Sequence, residues 1–143
     1  RIVSNFMLKV SFYIIENKPL RRAELACRLA QQILGKHRIW WFCQSETECQ
    51  EFDELLWSFD TSSFVPHAID QLEQPVCLSI KPPHVSFDLC INFSHTLLDP
   101  QQLPHETLHI IEIVGQDEQD KQQSRERFKH YKRLGINPVI HRI

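Results

Sequence analysis

His105-Glu106-Thr107-Leu108-His109-Ile110-Ile111-Glu112-Ile113-Val114-Gly115 is the stretch on which the fold turns. It opens with HExxH, letter for letter. As a helix, that motif sets two imidazoles on one face, where they share a metal ion and the Glu acts as base. As a strand, a rise of roughly 3.3 Å per residue puts the two imidazoles about 13 Å apart, too far to share an ion. The flanks decide between them. Pro104 precedes the motif, and the β-branched Ile110, Ile111, Ile113 and Val114 follow it. Thr107–Val114 therefore reads as a buried strand ending at Gly115. No metal ligands and no catalytic residues are assigned, and a hydrolase built on HExxH is only a distant alternative.

Working outward, strands and helices alternate. Leu8–Ile15 (LKVSFYII) reads as a strand, and a helical pattern opened by Pro19 runs from Leu20 to Leu34 and is closed by Gly35. Arg38–Cys43 (RIWWFC) is a second strand. Ser45 and Glu48 form a capping box for a helix that runs to about Trp57. Segment 58–75, with Pro66 and Pro75, reads as loop. Val76–Ile80 and Phe87–Phe93 are two further strands joined by a turn, a pair that can add an antiparallel element. Segment 94–106 is again loop. Asp117–Leu134 is a helix capped by Gly135, and Asn137–Ile143 a last strand. Such alternation predicts an α/β fold with a mostly parallel, mixed sheet flanked by helices. Residues 7–143 read as one domain. Met7 looks like a natural start, which makes residues 1–6 a leader or vector-derived.

Composition removes several functions. The three glycines, Gly35, Gly115 and Gly135, are too far apart for a GxxxxGK(S/T) loop or a GxGxxG turn. There is no nucleotide-binding loop of either common kind. The net charge of −2 disfavours general nucleic-acid binding. Five cysteines without a CxxC pair argue against a disulfide framework or a zinc ribbon. They read as buried thiols of a reducing, cytoplasmic compartment. No apolar run reaches a membrane span, and no signal peptide is visible. Five Cys and eight His offer many accidental pairs, so no Cys/His nucleophile is singled out, and GxSxG cannot be assembled.

Charge, by contrast, is segregated. Glu46–Asp60 holds six acidic residues and no basic one, while Lys121–Arg133 holds six basic residues and one acid. The helix dipole explains part of the second gradient. Lys121, Arg125, Phe128, Lys129 and Lys132 also fall on one helical stripe, basic with an aromatic between. That pattern suits an anionic partner with something apolar to bury. Single-stranded nucleic acid fits, with a base stacked on Phe128. An acidic peptide with a hydrophobic end fits better, given the small patch and negative chain.

Three strings then carry a resemblance. They are Phe12-Tyr13, Asp53-Glu54-Leu55-Leu56-Trp57 followed by Ser63-Phe64-Val65-Pro66-His67, and Arg125-Glu126-Arg127-Phe128-Lys129-His130-Tyr131-Lys132 closing at Gly135. Together they resemble the chi subunits of bacterial DNA polymerase III, over nearly the whole chain from Met7. The resemblance implies a Rossmann-like fold without a nucleotide site, no catalysis and no cofactor. It implies two partners: the psi subunit, which tethers chi to the clamp loader, and the acidic, Phe-terminated tail of single-stranded DNA-binding protein. DNA contact is then indirect. Carried over by position, the tail pocket uses Lys121, Arg125, Phe128 and Lys129, with Lys132 continuing the stripe and Val114 and Trp57 nearby. The psi contact falls on Phe64, Val65, Pro66 and His67. Asp120, Gln123 and Ser124 depart from the family, standing where more apolar residues are expected on the last helix.

Overall fold

The run Ile110–Val114 is a strand, and its neighbours explain why it is so apolar. In the computed structural model, which describes residues 8–16, 19–33, 35–59, 65–100, 103 and 107–143, it lies inside a parallel sheet. A parallel strand is covered on both faces, so it reads as continuous hydrophobic sequence.

In chain order the described residues form β1 (Lys9–Ile14), α1 (Arg22–Gln32), β2 (Ile39–Phe42), α2 (Glu46–Ser58), β3 (His67–Ile69), β4 (Val76–Ser79), β5 (Leu89–Asn92), β6 (His109–Val114), α3 (Glu118–Arg133) and β7 (Val139–Arg142). The strands pair in the order β3-β4-β2-β5-β6-β1-β7, all parallel. This is a Rossmann-like α/β arrangement. From β1 the chain steps through β2 to β3 at one edge, and α1 and α2 cover one face. From β6 it steps past β1 to β7 at the other edge, and α3 covers the opposite face. Right-handed crossovers require that division. Leu25, Ala26, Cys49, Phe52 and Leu56 pack with Trp41, Ile91 and Ile113 on the first face. Tyr131 and Ile136, with Phe128 half-buried beside them, pack with Phe12, Trp40, Ile110 and Val114 on the second.

Two sequence expectations need correction. Val76–Ile80 and Phe87–Phe93 are not an antiparallel pair. β4 and β5 lie on either side of β2 and both run parallel to it. The connector 80–88 is long enough to bring the chain back to the starting end without a helix. Arg38 holds it there: the guanidinium stacks 4.3 Å from the Phe87 ring centroid, its Nη1 donates to Ser86 O, and the Arg38 amide donates to Asp88 Oδ2 at 2.7 Å. Segment 58–75 is not all loop either. It contains β3, three residues long, too short to show a period.

The caps come close to expectation. Ser45 Oγ accepts from Glu48 N–H, but the Glu48 carboxylate takes the Gln44 amide rather than that of Ser45. The helix α3 ends in a Schellman turn, with Ile136 N–H on Tyr131 O and Gly135 N–H on Lys132 O, both at 3.0 Å. Gly135 has φ +84°, which glycine adopts without a Cβ penalty.

Candidate functional site

The helix α3 sits on a polar foundation. Glu112 points from β6 into the sheet face beneath the helix and is fully buried. Its Oε1 accepts from Arg127 Nε at 2.9 Å, and its Oε2 accepts from Tyr131 Oη at 2.7 Å and Asn92 Nδ2 at 2.9 Å. Arg127 also donates to Ser124 Oγ. Desolvation pushes the Glu112 carboxyl above the ordinary carboxylate range, against the pull of Arg127, Asn92 and Tyr131. At the other end of the helix, Asp117 Oδ2 caps the Asp120 amide, and Asp120 Oδ2 accepts the Gly115 amide at 2.5 Å. A Cβ on residue 115 would stand 3.3 Å from that carboxylate oxygen. Asp120 Oδ1 also faces Arg22 Nη1 at 3.4 Å. Of the polar residues expected to be apolar on this helix, Asp120 ties its first turn to Gly115 and Arg22, and Ser124 steadies Arg127 from within the helix.

Docked this way, the N-terminal half of α3 leans over the carboxyl ends of β1, β6 and β7. Between them lies a cavity of about 560 Å³. Phe12, Ile14, Val114, Phe128 and Ile140 give it apolar walls, and Lys121, Arg125 and Arg142 bring the cations. Phe12 and Phe128 meet edge to face, with centroids 5.4 Å apart. Two of the cations already face carboxylates: Lys121 lies 3.5 Å from Glu118, and Arg142 lies 3.0 Å from Glu16. Among the described residues, Arg125 has no carboxylate partner, and its guanidinium contacts Gln122 Oε1 at 3.2 Å. An anion entering the cavity meets Arg125 without a competing carboxylate among the described residues.

The stripe read from helical spacing is therefore assembled in part. Lys121, Arg125, Phe128 and Val114 line the cavity. Lys129 is outside it, paired with Glu126 at 3.6 Å, and Lys132 reaches past the helix end to Asn137 Oδ1 at 2.9 Å. Among the lining residues that helical spacing missed are Phe12, Ile14, Ile140 and Arg142. They come from two strands that only the sheet order brings beside α3, so no local signal marked them.

Trp57 is not near this cavity. It stands on α2, on the other face and at the other edge of the sheet. Its ring meets that of His67 edge to face at 5.3 Å. His67 itself is buried, with Nδ1 against Val65 O at 2.6 Å and Nε2 against Asp53 Oδ1 at 3.2 Å. Val65, Pro66, His67 and Trp57 thus form one corner, where a buried imidazole ties β3 to α2 and leaves the indole 59% exposed. Phe64 lies outside the described residues.

His105 and Glu106 also lie outside them. His109 opens β6 and its Nε2 is 2.7 Å from Ser11 Oγ. Burial lowers this imidazole from 6.5 to about 4. The unfolded chain then takes up the proton as pH falls through 6.5, while the folded chain refuses it until about 4. Stability contributed by the neutral ring is lost as pH drops across that interval. A His109→Gln variant is expected to flatten this part of the curve, read as urea midpoints from neutral pH downward. Parallel slopes for the two proteins would contradict it.

All five cysteines are buried free thiols. Desolvation raises each of them, Cys77 to about 11 and Cys27 to about 12, which keeps the reactive thiolate scarce. Among the described residues no three His, Cys, Asp or Glu side chains gather to hold a metal ion, and no helix is long and apolar enough to cross a membrane.

Fold and site together define a parallel α/β protein of Rossmann-like layout, with a cation-rimmed apolar cavity at the strand ends and no glycine-rich phosphate loop. Comparison with known proteins gives the family. The model of the DNA polymerase III chi subunit, HolC, matches residues 7–139. The chain is 32% identical over 142 residues to DNA polymerase III subunit chi of Pseudomonas aeruginosa, covering 96% of this chain and 98% of that one. It is 36% identical over 135 residues to the subunit of the same name from Haemophilus influenzae, covering 88% and 91%. The chain belongs to the chi subunit family of DNA polymerase III, a replication accessory subunit.

Proposed function

We propose that this chi-family chain is a non-catalytic adaptor with two docking surfaces at opposite edges of its sheet. The cavity under α3 takes the acidic C-terminal tail of single-stranded DNA-binding protein. The tail's terminal Phe enters between Phe12, Val114 and Phe128, and its carboxylates meet Arg125 and Lys121. The corner of Val65, Pro66, His67 and Trp57, with Phe64, takes the psi subunit and through it the clamp loader. The observation that carries the reading is Arg125: an exposed guanidinium without a carboxylate partner among the described residues, at the mouth of an apolar cavity. A guanidinium matches a carboxylate with two parallel hydrogen bonds, which an ammonium cannot copy.

One tail contact of this size is expected to be of micromolar strength, about 8 kcal/mol, and to weaken as salt screens its exposed charges. A partner presenting several tails gains effective affinity through rebinding. Fluorescence anisotropy with a labelled, acidic, Phe-terminated peptide tests the cavity directly. Binding that is insensitive to salt, or is kept by a peptide ending in Asp, would defeat the assignment.

Moving Trp57 to the psi side follows from its place beside His67. Because the indole is 59% exposed, Trp57→Ala should shift stability by no more than about 0.5 kcal/mol. It should nonetheless weaken copurification with psi, as should Phe64→Ala. A psi complex of undiminished yield and salt resistance in both variants counts against that surface.

A further inference from the structure

The cavity opens onto an edge of the sheet, and the main chain of that edge has bonding capacity left over. Among the described residues, β7 is bonded to β1 alone. In a parallel pair, alternate residues turn both N–H and C=O toward the neighbouring strand, and those between turn both away. Ile143 N–H donates to Ile14 O at 2.8 Å, and Ile143 O accepts from Glu16 N–H at 2.9 Å. Ile143 therefore faces β1, and by alternation so do His141 and Val139. Ile140 and Arg142 turn their amides and carbonyls outward, and among the described residues no main-chain bond reaches them. Their side chains are the two that β7 contributes to the cavity.

The edge is also only partly blunted. All four residues of β7 are exposed, including Val139 at 47% and Ile140 at 42%. Sheet edges left open are usually blunted by charged side chains, proline, a bulge or a covering segment; Pro138 blunts only the entry to β7, and Ile140 and Arg142 keep their outward N–H groups.

We propose that β7 is a docking edge on which an extended acidic peptide adds as a further strand. The peptide main chain pairs with Ile140 and Arg142, and an apolar side chain drops into the cavity beside Phe128. The proposal rests on the peptide reading of the cavity and adds how the peptide is held. Charge favours this occupant, since Arg142, Arg125 and Lys121 all border the path. So does continuity: a chain leaving the cavity past Ile140 runs directly along the open edge. Main-chain pairing is indifferent to side chains, so the edge supplies affinity while the cavity supplies specificity.

Two experiments on the full chain test it. In the first, backbone amides of the acidic, Phe-terminated peptide are methylated one at a time. A paired strand predicts alternation, with every second position weakening binding about tenfold and the intervening positions tolerated. Uniform tolerance overturns strand addition. In the second, Ile140→Pro is compared with Ile140→Ala. Proline here removes an outward N–H and leaves the ladder to β1 whole. Ile140→Pro should bind about tenfold more weakly than Ile140→Ala; equal affinities contradict the proposal. Failure of the parent peptide to bind, or undiminished binding by Arg125→Ala, overturns the peptide reading itself and strand addition with it.

Discussion

Glu112→Ala is expected to cost about 3–5 kcal/mol of stability, a large fraction of what holds a domain of this size folded. The reason is what it leaves behind. Arg127 is 3% exposed, and its Nε has Glu112 as its partner at 2.9 Å. Without the carboxylate, a buried cation and the Tyr131 and Asn92 donors are stranded together. The paired change Glu112→Leu with Arg127→Met should lose less, because it leaves no buried unpaired cation, although Tyr131 and Asn92 still lose their acceptor. Urea denaturation of the two proteins separates the cases. Equal losses would show that the site is sensitive to shape alone and that the charge pairing is irrelevant.

Arg125→Ala carries the second large effect, on binding rather than folding. The side chain is exposed and hydrogen-bonds Gln122 on its own helix, so its loss should hardly move the unfolding midpoint. A charge-assisted hydrogen bond is worth about 1.5–3 kcal/mol, so affinity for the acidic, Phe-terminated peptide should fall roughly ten- to a hundredfold. Arg125→Lys should recover only part of it, since the point charge returns without the planar fork. Full affinity in Arg125→Ala would remove the residue on which the functional reading stands.

These two residues also mark what was legible in the sequence. Arg125 lies on an exposed helical face, and a 3.6-residue period reports such a face directly. Its role as a rim cation was readable from spacing. The strands were readable too, because Ile110–Val114 and Ile39–Phe42 are buried on both sides and say so in composition. Arg127 was not distinguishable from its neighbours. It belongs to the same basic run but turns inward, and only the partner on β6, Glu112, reveals why. The same limit applies to Arg142 and Ile140, which reach the cavity through strand order. It explains the misplacement of Trp57 as well: a family string gives a position along the chain, while the sheet order sets α2 at the far edge. The direction of β4 and β5 was hidden because a connector without a helix imitates a turn.

In the function proposed above, this chi-family chain recognises a protein tail and reaches DNA only through it. The most direct measurement is a matched-salt titration of the full chain against two probes, the acidic Phe-terminated peptide and a bare single-stranded oligonucleotide. The expected result is saturable peptide binding that Arg125→Ala weakens at least tenfold, with little binding of the oligonucleotide. Tight binding of bare DNA that depends on Arg125 and Phe128, with no saturation by peptide, would contradict it.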